Sequence, residues 1–95
     1  MSYVDLKNKT ILVTGAAGFI GSNLVNRLFN DVKDVTVIGI DNMNDYYDVR
    51  LKEARLSELS AHPSFIFVKD SIADKDMVNK IFDQYRPQVI VNLAA

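Results

Sequence analysis

The sequence predicts an α/β fold, in which helices cover both faces of a doubly wound parallel sheet. Short β-branched apolar segments alternate with longer segments of helical periodicity, in the order βαβαβαβ. The chain has 95 residues, 48% hydrophobic and 24% charged, which suffices for one small domain with a modest core. Right-handed crossovers between parallel strands then predict the spatial strand order 3-2-1-4.

The first strand is predicted over residues 9–14, because a β-prone apolar run follows a polar lead-in and breaks at Gly15. A helix of about three turns is predicted from Phe19 onward. Its apolar stripe recurs every four positions and comprises Ile20, Leu24 and Leu28, with Val25 and Phe29 alongside. The opposite, polar side comprises Ser22, Asn23, Asn26 and Arg27.

A second strand is predicted over residues 35–40, closed by Asp41, and a second helix over residues 47–60. Asp48 and Lys52 have the spacing of an i,i+4 ion pair with the acid first. The charged residues of this helix are interpreted as a solvated face with weak ion pairs, namely Asp48, Arg50, Lys52, Glu53 and Arg55.

A third strand is predicted over residues 65–69, followed by a helix capped by Asp74 or Ser71 and stopped by Pro87. The buried stripe of this helix is expected to be Met77, Val78, Ile81, Phe82 and Tyr85.

The apolar run from Val89 to Ala95, in "PQVIVNLAA", predicts a fourth strand buried on both faces. A hydrophobic tail that docks on a partner is the alternative. In the order 3-2-1-4 this strand ends the sheet, so an apolar edge and self-association of the chain are expected.

Composition excludes several classes of function. A formal net charge of −1, without a basic cluster interleaved with aromatics, argues against nucleic acid or an anionic membrane as the main partner. The chain has no cysteine, and its single histidine, His62, is predicted in a loop, so no metal site is expected. The start lacks a secretory signal, and no apolar stretch approaches the ~20 residues of a membrane span, so a cytoplasmic location is expected.

A glycine motif, G-x-x-G-x-x-G, is formed by Gly15, Gly18 and Gly21 between the first strand and the first helix. A ligand-free glycine-rich turn is the structural alternative. Asp41 favours a dinucleotide site, because it ends the second strand at the distance where a carboxylate reaches the adenosine ribose. A carboxylate there repels a 2′-phosphate, so NAD is favoured over NADP, and the motif lacks the Gly-Lys-Ser/Thr of a P-loop.

The segments "ILVTGAAGFIGSNLVNRL", "IDNMNDYYDVRLKEARL" and "VIVNLAA" resemble the extended short-chain dehydrogenase/reductases that modify nucleotide sugars. "NDYYDVRLKEARL" is most similar to the branch of the UDP-glucuronate 4-epimerases. The resemblance implies a Rossmann-like NAD site. By this resemblance, the NAD pyrophosphate would lie against Gly15, Gly18, Phe19, Ile20 and Gly21, and the adenosine ribose against Asp41 and Asn42. The adenine would lie against Asp70 and Ser71, and the nicotinamide side of NAD against Leu93, Ala94 and Ala95.

The family oxidises and re-reduces C4 of a UDP-sugar with NAD, using a Tyr-x-x-x-Lys pair as acid/base. That pair and the sugar site are expected beyond Ala95, and Tyr46 and Tyr47 are interpreted as packing residues. Residues 1–95 are therefore expected to be the truncated NAD-binding domain of an epimerase and to be inactive alone. The alternatives are a self-standing NAD-binding or regulatory module and the N-terminal half of a nucleotide-sugar 4,6-dehydratase.

Overall fold

A computed structural model describes residues 7–43, 49–70 and 74–93, and these residues form a four-stranded parallel sheet and three helices. The sheet order is β3-β2-β1-β4, which confirms the predicted topology. The strands are β1 (Thr10–Thr14), β2 (Thr36–Asp41), β3 (Phe65–Lys69) and β4 (Val89–Asn92). The helices are α1 (Phe19–Asp31), α2 (Val49–Leu59) and α3 (Lys75–Tyr85).

Two apolar clusters lie on opposite faces of the sheet, because side chains alternate along each strand. On one face, side chains of α1 and α2 pack against Ile11, Val13, Val37 and Phe65. On the other face, Ile81 of α3 packs against Leu12, Ile38 and Ile40. The two central strands, β1 and β2, are therefore covered on both sides, as the doubly wound fold requires.

The register brings the carboxyl ends of the four strands to one edge of the sheet. Thr14 of β1 lies opposite Ile40 of β2 and Asn92 of β4, and Asp41 lies opposite Lys69 of β3. In a doubly wound sheet, ligands bind at this edge, where the crossover direction reverses between β1 and β4.

Helix α1 is rotated relative to the predicted stripe. Val25 and Leu28 are buried as expected, but Ile20 is 68% exposed and Ser22 only 5% exposed. The physical reason is that small residues in the first turn, Gly21 and Ser22, face the protein and let the helix approach closely. The prediction that Ile20 lies on the buried face of the helix and Ser22 on its solvent face is therefore wrong.

Strand β4 corrects the prediction of a strand buried on both faces. Val89 and Val91 pack against the cluster on the α1 side, whereas Ile90 between them is 52% exposed. Among the described strands β4 pairs with β1 alone, so it is an edge strand. The strand ends at Asn92, and Ala94 and Ala95 lie outside the described residues.

Helix α3 begins as predicted, because the Asp74 Oδ1 accepts a hydrogen bond from the Met77 N–H at 3.1 Å. The other candidate cap, Ser71, lies outside the described residues. The helix ends at Tyr85, and its C-cap, Arg86, has a left-handed φ of 50° ahead of Pro87. Across the described part of the chain, no helix combines the length and apolar character needed to cross a membrane.

His62 lies in the loop between α2 and β3, as expected. Its ring stacks on Phe29 with 4.3 Å between centroids and an interplanar angle of 9°. Within residues 7–43, 49–70 and 74–93, no group of three or more His, Asp or Glu side chains could hold a metal ion. The contact that the structure shows for His62 is this packing on Phe29.

Candidate functional site

The turn between β1 and α1 is held against the end of β2. Gly15 has a φ of 71°, a left-handed conformation that glycine adopts without strain. The N–H groups of Gly15 and Ala16 both donate to the Ile40 carbonyl, at 2.8 and 3.2 Å. The Gly18 N–H donates back to the Gly15 carbonyl at 3.1 Å, which closes the turn. The sequence GAAG therefore forms a tight loop at the ligand edge.

Gly21 brings α1 against this turn. A β-carbon at Gly21 would overlap the Gly15 carbonyl oxygen and lie 2.9 Å from the Gly15 carbonyl carbon and 3.0 Å from Ala16 Cα. All three atoms belong to the backbone, so they cannot yield as a flexible side chain would. The third glycine thus packs on the turn that follows β1.

The N-terminus of α1 is open to a ligand. Gly18 is its N-cap and supplies no side chain to cap the helix, and a β-carbon there would meet the Gly15 carbonyl oxygen at 3.3 Å. The first N–H groups of a helix lack intrahelical partners and lie at the positive end of the helix dipole. Phe19 and Ile20 flank this end at 69% and 68% exposure. The arrangement suits a phosphate group bound by backbone N–H groups.

Asp41, at the end of β2, is only 5% exposed. Its carboxylate contacts the glycine turn, the residues after β2 and helix α2. Its Oδ2 accepts from the Ala17 N–H at 3.0 Å, inside the glycine motif. Its Oδ1 accepts from the Met43 N–H at 2.8 Å and from the Lys52 Nζ at 3.0 Å. The carboxylate is therefore fixed beside the glycine turn.

Lys52 and Arg55 correct the interpretation of α2 as a solvated charged face. The Lys52 side chain is only 13% exposed and forms an ion pair with Asp41. The Arg55 Nη1 donates to the Ala17 carbonyl at 3.2 Å, and its guanidinium carbon lies 5.9 Å from the centroid of the Phe19 ring. Their i,i+3 spacing on one helix face was the available signal. Arg50 and Glu53 are exposed as expected, and Asp48 lies outside the described residues.

Gly39 was also missed by sequence reasoning. A β-carbon there would lie 2.8 Å from Ala16 Cβ and 2.9 Å from the Phe65 ring. Gly39 therefore makes room in β2 for the glycine turn. A glycine inside the β-branched segment "VTVIGID" was the signal, because glycine in a strand often marks a close approach.

The ends of β3 and β4 complete the edge. The Asp70 N–H donates to the Asp41 carbonyl at 3.2 Å, which places Asp70 beside Asp41. The Leu93 N–H lies 3.0 Å from the Thr14 Oγ1, which itself donates to the Asn92 Oδ1 at 2.6 Å. The predicted site residues that the structure describes thus share the carboxyl edge of the sheet. Asn42 is exposed at this edge, and Ser71, Ala94 and Ala95 lie outside the described residues.

The spacing Tyr-x-x-x-Lys, expected only beyond Ala95, does occur at Tyr3 and Lys7. Tyr3 lies outside the described residues, as do Tyr46 and Tyr47. Lys7 is exposed next to Asn8, whose N–H donates to the Lys33 carbonyl ahead of β1 and β2. That is the amino edge of the sheet, opposite the glycine turn, so the spacing at Tyr3 assigns no catalytic role.

Comparison with known proteins gives a family match over most of the chain. The family model described as GDP-mannose 4,6 dehydratase matches residues 12–95. Protein CapI of Staphylococcus aureus is 46% identical over 85 residues, which are 90% of this chain and 25% of CapI.

Several of the matched solved structures contain NAD. The dTDP-glucose 4,6-dehydratase of Bacillus anthracis in complex with NAD is matched with a TM-score of 0.80 and 32% identity, over 92% of this chain and 27% of that chain. The UDP-glucuronic acid 4-epimerase of Bacillus cereus in complex with NAD is matched with a TM-score of 0.77 and 35% identity. The match covers 90% of this chain and 27% of that chain. The Bacillus cereus enzyme is also matched in complex with UDP-glucuronic acid and NAD. The chain spans about a quarter of the length of these proteins.

Proposed function

Since this chain belongs to the GDP-mannose 4,6-dehydratase family of extended short-chain dehydrogenase/reductases, we propose that it is the NAD-binding part of a nucleotide-sugar-modifying enzyme. One observation carries the proposal. The Asp41 carboxylate is hydrogen-bonded to Ala17 within the glycine turn, so a ribose acceptor and a phosphate cradle adjoin at the edge where such sheets bind ligands.

The described residues at this edge support the proposed NAD site. We assign the pyrophosphate to Gly15, Gly18 and Gly21 with Phe19 and Ile20, because Gly18 caps α1 without a side chain and the α1 N-terminus favours anions. Asp41 and Asn42 would hold the adenosine ribose. The adenine is assigned to Asp70 and Ser71, and the nicotinamide side to Leu93, Ala94 and Ala95.

Bound NAD would supply hydride transfer at C4 of a UDP-sugar. The UDP-glucuronate 4-epimerase reaction is the proposed activity of the whole protein, supported by the "NDYYDVRLKEARL" resemblance and the 35% identity to the Bacillus cereus epimerase. A 4,6-dehydratase is the second candidate, supported by the match to the Bacillus anthracis enzyme. An assay of the whole protein with UDP-glucuronate and dTDP-glucose distinguishes them by which sugar is converted.

Residues 1–95 are proposed to bind NAD without turning over a sugar. We assign the glycine turn, Asp41 and Leu93 to the cofactor, and the acid/base pair and the sugar site to other parts of the protein. Measurable epimerase or dehydratase turnover by the 95-residue chain alone would refute this assignment.

The experiment that tests cofactor binding is an NAD titration followed through backbone amide chemical shifts. The amides of residues 15–21 and of Asp41 are expected to shift, and no shift at millimolar NAD would refute the proposal. Asp41→Ala should weaken NAD binding roughly ten- to a hundredfold, because a hydrogen bond to a charged group contributes about 1.5–3 kcal/mol. Asp83→Ala, an exposed position on α3, is the matched control and should leave the affinity unchanged.

We also propose that the 95-residue chain self-associates through β4. Ile90 of the edge strand β4 is 52% exposed, and Leu93, just after the strand, is 39% exposed. Such an edge can pair with another chain. Sedimentation at increasing concentration should show a rising average mass, which Ile90→Lys should abolish. A clean monomer at high concentration contradicts the proposal.

A further inference from the structure

The ion pair between Asp41 and Lys52 changes what the ribose site can recognise. A carboxylate offers about four acceptor positions. Among residues 7–43, 49–70 and 74–93, three donors use positions on Asp41, namely Ala17 N–H, Met43 N–H and Lys52 Nζ, at 3.0, 2.8 and 3.0 Å. These contacts reduce the capacity of Asp41 to accept from the ribose hydroxyls.

The pair is also electrically neutral where an unpaired carboxylate would be negative. Asp41 is 5% exposed and the Lys52 side chain 13% exposed, so solvent screens their charges weakly. An unpaired carboxylate repels a 2′-phosphate, but a cation 3.0 Å from the carboxylate offsets much of that repulsion. Moreover, an ammonium has three donors, so Lys52 can hold Asp41 and a 2′ substituent of the ribose at the same time.

On the basis of the dinucleotide site proposed above, we infer that Lys52 is a specificity-determining residue that weakens discrimination between NAD and NADP. In this site Asp41 alone would exclude a 2′-phosphate. Lys52 counteracts that exclusion, so the wild-type chain accepts NADP more readily than Asp41 by itself predicts.

Two neighbouring cations are less suited to this role. Arg55 donates to the Ala17 carbonyl and lies over the Phe19 ring, which directs it to the glycine turn rather than to the Asp41 carboxylate. Lys69 lies opposite Asp41 in the sheet register but is exposed, where water and salt screen its charge. Lys69 therefore provides a demanding control for the loss of one positive charge near Asp41.

The experiment measures the dissociation constants of NAD and NADP for each variant by isothermal titration calorimetry. Lys52→Met should raise the ratio Kd(NADP)/Kd(NAD) about tenfold, or ~1.4 kcal/mol. Lys52→Arg keeps the charge and should leave the ratio within about threefold of wild type, and Lys69→Met within about twofold. Where Lys52→Met does not fold, because Asp41 is left as an unpaired buried charge, the comparison uses Asp41→Asn against Asp41→Asn/Lys52→Met. The double variant should then lose NADP affinity about tenfold relative to Asp41→Asn.

The outcomes separate this inference from the proposed function. If wild type binds NAD but the ratio does not change on removing Lys52, the inference is wrong and the NAD site stands. If Lys69→Met raises the ratio as much as Lys52→Met, the effect is general electrostatics and the inference is again wrong. If wild type binds neither dinucleotide, the proposed function itself fails.

Discussion

Replacing Gly21 with alanine tests how closely α1 must approach the glycine turn. The new β-carbon would overlap the Gly15 carbonyl oxygen and would lie 2.9 Å from the adjacent carbonyl carbon. The Gly15 carbonyl is fixed by its hydrogen bond from Gly18, at 3.1 Å. The helix N-terminus therefore has to move away from the turn.

The magnitude follows from two opposing effects. Overpacking a well-packed contact costs about 1–3 kcal/mol, and contact with three backbone atoms places Gly21→Ala at the upper end of that range. Alanine gains about 1 kcal/mol over glycine in helix propensity. The expected net loss in unfolding free energy is therefore about 2 kcal/mol, or roughly 8–16 °C in Tm for a domain of this size.

The assay is urea unfolding followed by circular dichroism at 222 nm, with wild type, Gly21→Ala and Asn23→Ala compared at constant m-value. Asn23 is exposed on the same helix, so Asn23→Ala changes helix propensity without a collision and should be neutral or slightly stabilising. If Gly21→Ala is as stable as Asn23→Ala, the close approach of α1 to the turn is not what requires glycine at position 21, and the reasoning is refuted.

Two further substitutions test contacts away from the ion pair. Asp74→Ala should cost about 1 kcal/mol in the same unfolding assay, because the α3 N-cap is lost, whereas Asp76→Ala, an exposed first-turn acid without the cap bond, should cost less. Equal losses would contradict the cap. Thr14→Val removes the hydroxyl that donates to Asn92 and accepts from Leu93, and should cost about 1–2 kcal/mol. The Leu93 N–H keeps its bond to the Thr14 carbonyl at 3.2 Å, so its hydrogen exchange should speed up only modestly. An unchanged exchange rate at Leu93 would contradict this contact.

Local patterns were sufficient for the secondary structure and topology. Helix α3 follows from the Asp74 cap, its apolar spacing and Pro87, all within a few residues of one another. The strand order follows from alternating β and α elements and the preferred hand of their crossovers. Such signals are short in range, so one sequence contains them in full.

Contacts between distant residues were predicted less well. The i,i+3 spacing of Lys52 and Arg55 indicates that they share a helix face, but nothing within α2 indicates that the end of β2 lies beside that face. The prediction that Ile20 is buried is wrong because residue spacing gives the apolar stripe of a helix but not which side of the helix faces the sheet. In α1 that side is set by Gly21, which has no side chain and lets the first turn of the helix approach the glycine turn. Strand β4 has the composition of a buried strand, but its exposure depends on what lies beside it.

By itself, the sequence determined the fold class, the glycine turn between β1 and α1, and a carboxylate at the end of β2, because these depend on neighbouring residues and on spacing along the chain. Only the tertiary structure decided that the Asp41 carboxylate is bonded to the glycine turn and neutralised by Lys52 from another helix. The physical reason is that a charge acquires its partner through packing. Asp41 and Lys52 are separated by 11 in sequence, and the chain between them carries no pattern that specifies the 3.0 Å contact.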